Sequence, residues 1–493
     1  MNFVWKYQRE IIVLVCLIIA YFILRLPNLT LQPIFADEAI YIRWAQVMRS
    51  EPTLRFLPQT DGKTPLFMWS LIPLFKFIHD PLLAGRFLSV LSGFFTLLGV
   101  FFLSRKVFNA KAALWASLVY VITPYTVFFD RMALVDSMLS AFTVWVVYFA
   151  VWLLKSLRLD LAMILGYMLG GAILTKTPGM LNLLILPVSI LGFKKAGAGK
   201  YRLVKLVAFW GVAVVIALVM YNLLRLGPEF RQLSARNADY VFSPVELVGR
   251  PLDPFIPHFH DISDWFPKLL TWPIIGLMVY GLWFMVKEKN KLGWVILAWA
   301  IIPLLVEMTF LRTFTARYLL PSIPLLLILA GFGMEKISRV IPLIILLILV
   351  VFLPLKFDYQ LLTNPPPDSL PNEERKGYFE DWTAGFGLKD IAGFLKEKRK
   401  EGKVIVGTEG SFGTLPDGLW IYLDKDDIAI IGGSATISAQ IRDTARENAT
   451  YFVGNKKNLK LVIQKAELVR EYPKARPLDG SEQDAMVLYK VFP

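Results

Sequence analysis

Residues 97–122 read LLGVFFLSRKVFNAKAALWASLVYVI, two apolar blocks joined by a short basic turn that contains Arg105, Lys106 and Lys111. Followed to its far end, each block is roughly 18 residues or longer, which is the length that an α-helix needs to cross a bilayer. The pattern recurs along residues 1–356. The apolar blocks are 11–26, 83–104, 111–128, 133–154, 160–174, 179–193, 204–225, 268–286, 292–310, 318–334 and 340–356. The sequence therefore predicts a polytopic α-helical membrane protein with about eleven transmembrane helices.

The composition agrees with a chain that is mostly embedded in lipid. Hydrophobic residues make up 56% of the chain and charged residues 19%, whereas soluble proteins carry about 25% charged residues. A net charge of +14 is also typical of nucleic-acid binding. Most lysines and arginines, however, lie in short loops between apolar blocks, where they set topology. We therefore expect the lipid bilayer, and no nucleic acid, as a partner.

The basic turns also predict an orientation, because short cytoplasmic loops are enriched in lysine and arginine. With a cytoplasmic N-terminus, the inner loops carry Arg105, Lys106 and Lys111; Lys155 and Arg158; Lys194, Lys195, Lys200, Arg202 and Lys205; Lys287, Lys289 and Lys291; Lys336 and Arg339. The run Ile11–Leu24 resembles a secretory signal but lacks a small-residue cleavage site, so we interpret it as a retained signal-anchor helix. We expect a multi-pass protein of the cell (plasma) membrane whose C-terminus is extracytoplasmic.

The first predicted outer segment, residues 27–82, contains two short helical patterns. Ala39–Met48 is amphipathic. Residues 65–78 are apolar but are interrupted by Pro73 and Lys76, which favours an interfacial helix over a span.

The composition changes after the last apolar block. Residues 357–369, which include three consecutive prolines, predict a stiff linker. Residues 370–493 predict a small C-terminal soluble α/β domain, and residues 1–356 the transmembrane domain. The expected helices are Lys389–Lys400 and Ser438–Asn448, and the expected strands are Val404–Thr408, Ile428–Ile431, Leu459–Lys465 and Ala485–Phe492, the last two as a pair.

Three acidic residues lie where an apolar chain has no structural need of them. Asp37 and Glu38 follow the first span, and Asp136 lies inside a predicted span. Asp37 is either the N-cap of the helix near Ala39 or a general base in a partly dry cavity, and the sequence gives both interpretations equal weight. Asp136 is functional or is the ion-pair partner of Arg131.

Several cations accompany these acids at the predicted outer ends of the spans. They are Lys63, Arg131, Lys176, Arg236 and Arg317, the last followed by Tyr318. Snorkelling at the headgroup level explains each cation singly. An anionic substrate beside a carboxylate base explains the whole set, acids included.

A metal site has weaker support. His258, His260 and Asp261 are possible ligands in one proline-rich loop, but plain loop histidines are the favoured explanation. The sequence has no phosphate-binding glycine loop, zinc motif or nucleophile elbow. We expect no cofactor, with a divalent metal as the open alternative.

Together these motifs resemble the GT-C glycosyltransferases of the protein O-mannosyltransferase and aminoarabinose-transferase type, which are glycosyltransferase family 39-like. The resemblance covers about residues 1–350 at the level of topology. It rests on Asp37-Glu38, Lys63-Thr64-Pro65-Leu66, Arg86–Gly93, Arg131–Asp136, Lys176-Thr177-Pro178 and Arg317–Pro321. One departure stands out: the aminoarabinose enzyme has a glutamate directly before its lysine, where this chain has Gly62.

The resemblance implies transfer of a sugar from a polyprenyl-phosphate carrier to an acceptor hydroxyl, with inversion. It implies Asp37 as general base, with Glu38 beside it, and Asp136 as a group that positions acceptor or base. Lys63, Arg236, Arg317 and Tyr318 would hold the carrier phosphate. The acceptor, whether protein, lipid or glycan, is left open. A secondary transporter and a non-catalytic receptor or assembly factor are the alternatives, although charges at one face and the lack of a repeat disfavour a transporter.

Overall fold

The structure is a computed structural model that describes residues 2–193, 199–250, 252–337, 340–424, 426–433, 435–460 and 466–493. The chain forms two compact units, each discontinuous in sequence. The first unit comprises Met1–Pro27, Leu54–Phe67 and Phe87–Leu362. The second comprises Asn28–Thr53, Met68–Arg86 and Thr363–Pro493. The second unit thus includes two segments that the sequence assigns to the transmembrane domain.

The elements are numbered here in chain order. The helices are α1 (Asn2–Arg25), α2 (Ala36–Ser50), α3 (Leu66–Leu71), α4 (Pro81–Val107), α5 (Ala110–Ile122), α6 (Pro124–Asp130), α7 (Val135–Lys155), α8 (Leu159–Thr175), α9 (Met180–Ile185), α10 (Gly199–Asn222), α11 (Gln232–Ala235), α12 (Asn237–Tyr240), α13 (Pro244–Val248), α14 (Phe255–Leu269), α15 (Trp272–Lys287), α16 (Lys291–Phe310), α17 (Ile323–Glu335), α18 (Val340–Thr363), α19 (Asn372–Arg375), α20 (Leu388–Glu401), α21 (Asp417–Leu423) and α22 (Ala439–Thr444). The strands are β1 (Ile34–Phe35), β2 (Ala384–Gly385), β3 (Val404–Glu409), β4 (Ala429–Gly433), β5 (Ala449–Asn455), β6 (Ala466–Pro473) and β7 (Ala485–Val491).

The described part of the chain contains five helices that are long and apolar enough to cross a membrane, namely α4, α7, α10, α16 and α18. Two bent pairs raise this number to seven if each pair is one span: α5 with α6, bent by 59°, and α14 with α15, bent by 107°. The first bend follows from Pro124, because the preceding Thr123 adopts extended backbone angles. The helices α8 and α17 and the helical segment Thr177–Gly192 are apolar but shorter. The total of about eleven spans stays a prediction.

Close helix packing within the first unit depends on small residues, as in membrane bundles generally. A Cβ atom at Gly331 of α17 would lie 2.3 Å from the main-chain nitrogen of Ala116 in α5. A Cβ atom at Gly281 of α15 would lie 1.9 Å from the carbonyl oxygen of Leu329 in α17. Any larger side chain at either position would push the helices apart.

The second unit is built on a five-stranded sheet in the order β4-β3-β5-β7-β6. The strands β4, β3 and β5 run parallel, and β7 is antiparallel to β5 and β6. Ile441 of α22, Phe452 of β5 and Val491 of β7 form a buried core beside it. The prediction of a small C-terminal domain with a sheet is therefore confirmed.

Residues that follow α1 belong to the same unit as this sheet. The strand β1 pairs with β2 across more than half of the chain. In α2, Gln46 Nε2 donates to the carbonyl oxygen of Ile421 in α21 at 2.8 Å, and Arg43 forms an ion pair with Asp424. Lys389 of α20 reaches Asp80 at 2.5 Å. Asn28–Thr53 and Met68–Arg86 are thus structural parts of the C-terminal unit.

Most local predictions are confirmed. The helix near Ala39–Met48 is α2, the apolar stretch 65–78 is α3 with a following 3₁₀ segment (Ile72–Lys76), and α20, α22, β3, β4 and β7 lie where the sequence placed them. Helix α18 continues to Thr363, into the predicted linker. Outside the described residues lie Lys194, Lys195, Arg339 and most of the predicted strand Leu459–Lys465.

Candidate functional site

Three predicted site residues meet in the first unit. Asp136, in the first turn of α7, is 2% exposed, and its Oδ1 accepts a hydrogen bond from Lys176 Nζ at 2.6 Å. Lys176 directly follows α8, and its ammonium lies 4.0 Å from the ring centroid of Tyr318. A helix N-terminus favours the negative charge of Asp136, and the ring face of Tyr318 favours the ammonium. The ion pair and the ring form one charged cluster, called here the Lys176 cluster.

Arg317 and Tyr318 belong to a 3₁₀ segment, Ala316–Leu319. The hydroxyl of the buried Tyr125 donates to the carbonyl oxygen of Ala316 and so anchors this segment. The guanidinium of Arg317 lies 5.4 Å from the ring centroid of Tyr318. The cluster therefore presents two cations around one aromatic ring.

The sequence analysis missed Glu307, which is 8% exposed near the end of α16. Its carboxyl group interacts electrostatically with Lys176 and Asp136. Its place in the sequence, within an apolar run of predicted span 292–310, was a usable signal, because an acid inside a transmembrane segment is functional by default.

A second pair of predicted cations shares one carboxylate in the first unit. Asp61 Oδ1 accepts from Arg236 Nη2 at 2.7 Å, and Asp61 Oδ2 lies 3.2 Å from Lys63 Nζ. The Asp61 carboxylate raises the pKa of Arg236, so the guanidinium stays charged. Lys63 and Arg236 are thus placed to hold a single anion between them.

The backbone conformation at position 62 explains why glycine stands there. Its φ of +66° is in the left-handed region, and a Cβ atom there would lie 2.6 Å from the Cβ of Arg236. A side chain at this position would be strained and would displace Arg236.

We expect the Gly62→Ala variant to be less stable by about 1–2 kcal/mol, because alanine pays the left-handed backbone cost and also crowds Arg236. Thermal unfolding of the purified protein measures the loss. Gly249→Ala is the control, since its added Cβ would meet only a carbonyl oxygen at 3.7 Å. Equal unfolding temperatures for Gly62→Ala and Gly249→Ala would contradict the conclusion that position 62 requires glycine.

One interpretation of the sequence made Arg131 the ion-pair partner of Asp136, but Asp136 forms an ion pair with Lys176. Nη1 of Arg131 donates to the carbonyl oxygens of Arg25 and Pro27 at 2.7 and 2.9 Å. The guanidinium of Arg25 in turn lies 3.1 Å from Asp130, which also accepts from Tyr120 and Ser137, each at 3.0 Å. All these side chains are buried. Arg131 therefore closes a buried network at the end of α1, and Asp136 takes Lys176 as its partner.

Asp37 and Glu38 lie in the second unit. The helix α2 begins at Ala36, so Asp37 is inside its first turn and is not the N-cap. Asp37 is partly exposed, whereas Glu38 is fully buried. Glu38 forms a two-pronged ion pair with Arg86, with both contacts at 2.8 Å, and accepts from the main-chain nitrogen of Phe35 at 2.9 Å.

Arg86 saturates its guanidinium with this ion pair and three main-chain carbonyls. The acceptors are Leu29, Gln32 and Pro33, at 2.8 to 3.0 Å. A planar fork of five N–H donors suits such a set. The Glu38–Arg86 ion pair thus holds in place the segment that contains Asp37.

The histidine segment is not a loop. His258 lies in α14, is buried, hydrogen-bonds through Nδ1 to the carbonyl oxygen of Met308 at 2.8 Å and stacks on Phe314. Among the described residues, no three histidine, cysteine, aspartate or glutamate side chains are grouped as metal ligands would be.

The comparisons with known proteins agree with this architecture. Residues 62–224 match the sequence model of the family described as dolichyl-phosphate-mannose-protein mannosyltransferase. This segment contains Lys63, Asp136 and Lys176. A comparison with curated protein sequences found no match.

Solved structures match almost the whole chain. ArnT from Cupriavidus metallidurans in the apo state has a TM-score of 0.64 at 16% identity, covering 98% of each chain. ArnT bound to undecaprenyl phosphate gives 0.59 at 17% identity, with the same coverage. The archaeal oligosaccharyltransferase AglB from Archaeoglobus fulgidus, in complex with an inhibitory peptide and a dolichol-phosphate, gives 0.52 at 12% identity and covers 92% of this chain and 70% of AglB. The resemblance to GT-C glycosyltransferases is therefore confirmed, and the chain has the fold of ArnT along nearly its entire length.

Proposed function

We propose that the chain is a membrane glycosyltransferase that moves a hexose or pentose from a polyprenyl-phosphate carrier to an acceptor hydroxyl on the extracytoplasmic side. The observation that carries this proposal is the agreement in fold, over 98% of both chains, with ArnT bound to undecaprenyl phosphate. The AglB structure, with its dolichol-phosphate, adds a second fold relative with a polyprenyl-type phosphate. The acceptor is a protein, lipid or glycan hydroxyl.

The cations of the first unit supply the electrostatics that this reaction needs. Lys63 and Arg236 share the Asp61 carboxylate, and a phosphate monoanion or dianion offers the same kind of acceptor oxygens. Lys176, Arg317 and Tyr318 supply further cations and a ring. In the proposed role, these groups neutralise the charge that develops on the leaving phosphate. The proposed reaction needs no cofactor, and a divalent metal stays the alternative.

Asp37 is the proposed general base. The acceptor oxygen attacks the anomeric carbon while the bond from that carbon to the phosphate oxygen breaks. The acceptor proton passes to Asp37, and the polyprenyl phosphate leaves with the bond electrons. One displacement inverts the anomeric centre. Asp136 positions Lys176, and Glu38 acts through Arg86 by fixing the chain beside Asp37.

Reconstitution tests the proposal. The purified protein is placed in liposomes with polyprenyl phosphates that carry radiolabelled sugars, and protein, lipid and glycan acceptors are supplied outside. We expect label to move covalently to one acceptor class in proportion to the protein. Label that crosses the bilayer on an unchanged lipid would support the transporter instead. If no donor gives either transfer of the label or movement of the lipid across the bilayer, the result would support the non-catalytic receptor or assembly factor.

We expect Arg236→Gln to weaken donor binding by about tenfold or more, because a charge-assisted hydrogen bond to phosphate contributes roughly 1.5–3 kcal/mol. The Kd of polyprenyl phosphate in detergent micelles is the measurement. Arg231→Gln is the matched control, since Arg231 precedes α11 in the same segment and is exposed. If Arg236→Gln and Arg231→Gln bind polyprenyl phosphate with equal affinity, Arg236 does not belong to the phosphate site.

A further inference from the structure

Glu307 is a buried acid that the proposed reaction does not use. Its side chain comes from α16, and its Oε2 atom has no hydrogen-bond partner although it is shielded from solvent. A buried carboxylate is costly unless it is paired and hydrogen-bonded. Such an atom in a native structure therefore needs an explanation.

The neighbours of Glu307 do not satisfy it. Lys176 and Asp136 are the charged groups that act on its carboxyl group. Lys176 already donates to Asp136 at 2.6 Å and lies against the Tyr318 ring. Lys176 therefore acts on two acidic side chains, and its hydrogen bond goes to Asp136. Oε2 of Glu307 is left as an acceptor beside the Lys176 cluster.

A ligand with a hydroxyl group would complete this arrangement. A sugar hydroxyl donates one hydrogen bond, adds no charge and fits beside an ion pair that stays intact. We infer that Glu307 accepts a hydrogen bond from a hydroxyl of the donor sugar and thereby sets sugar specificity. The inference rests on the proposed function, because it takes the Lys176 cluster as part of the donor site.

The expected discrimination is large. A site whose buried polar group needs a substrate hydroxyl binds an analogue without it roughly 10–100-fold more weakly. The carrier phosphate does not depend on Glu307 in this scheme. A variant of Glu307 therefore separates sugar recognition from lipid-phosphate recognition.

The experiment compares binding of two lipids. The first is the polyprenyl-phosphate sugar that the reconstitution identifies as donor, and the second is polyprenyl phosphate alone. We expect Glu307→Leu to weaken binding of the first by roughly 10–100-fold and to leave the second unchanged. Monodeoxy analogues of the donor sugar extend the test: the analogue that lacks the partner hydroxyl should bind poorly to wild type but lose nothing further in the variant.

Asp358→Asn is the matched control. Asp358 is a fully buried acid of the same unit, both of its oxygens lack hydrogen-bond partners, and the charges that act on it are Arg25 and Arg131. We expect this variant to bind both lipids in the wild-type ratio. A changed ratio for Asp358→Asn, or an unchanged one for Glu307→Leu, would overturn the inference.

Thermal unfolding without ligand gives a second readout that does not require activity. If the hydrogen-bond partner of Oε2 is a ligand, Glu307→Leu removes a buried group that is unsatisfied in the ligand-free protein. The unfolding temperature should then stay level or rise. A fall of several degrees would make Glu307 a structural residue and overturn the inference. If wild type transfers no sugar, the proposed function fails, whereas this measurement still decides whether Glu307 is structural.

Discussion

Asp37→Asn should lower the rate of sugar transfer by about 10²–10⁴-fold, the usual contribution of a general base. Asparagine keeps the shape of the side chain but cannot take the proton from the acceptor hydroxyl. The position supports this role. Asp37 lies in the first turn of α2 and is partly exposed, whereas its neighbour Glu38 is buried and engaged by Arg86. Initial rates with a saturating radiolabelled donor measure the effect.

Donor binding should be nearly unchanged in Asp37→Asn, since the loss concerns proton transfer. The matched control is Glu51→Gln, because Glu51 directly follows α2 and is exposed. Glu51→Gln should transfer sugar at the wild-type rate. If Asp37→Asn transfers sugar at the wild-type rate, Asp37 is not the general base. If donor binding falls in parallel with transfer, Asp37 is a binding residue.

The sequence predicted the local elements well because their signals are local. Apolar blocks separated by basic turns predict helices, and the C-terminal alternation predicts the sheet strands. Pro124 was a local signal for the break between α5 and α6, although the block 111–128 was interpreted as one continuous span.

Pairings between distant segments were not predictable in the same way. The partner of Asp136 is 40 residues away at Lys176, and that of Glu38 is 48 residues away at Arg86. Spacing favoured the nearby Arg131 for Asp136, but Arg131 bonds to main-chain carbonyls at the end of α1. Tertiary packing decides such pairs, and no periodicity encodes it. Likewise, the sequence of Asn28–Thr53 gave no sign that this segment belongs with β2 and α21.

Arg86→Met should destabilise the protein by about 3–5 kcal/mol, the cost of breaking a buried ion pair by removing one partner. Both side chains of the pair are 0% exposed. The substitution leaves the Glu38 carboxylate buried without its cation and strips three main-chain carbonyls of their donor. The first loop should therefore loosen around Asp37, so transfer should fall together with stability.

Arg86→Lys should rescue little of this loss, because a single ammonium cannot reproduce the two-pronged contact or reach all three carbonyls. Thermal unfolding of the two variants, with sugar transfer measured in parallel, makes the comparison. Lys389→Met serves as the control, since it breaks an ion pair with Asp80 in the same unit whose lysine side chain is 62% exposed, and exposed pairs contribute little. If Arg86→Met unfolds at the same temperature as Lys389→Met, the Glu38–Arg86 pair does not hold the loop, and the fixed position of Asp37 needs another cause.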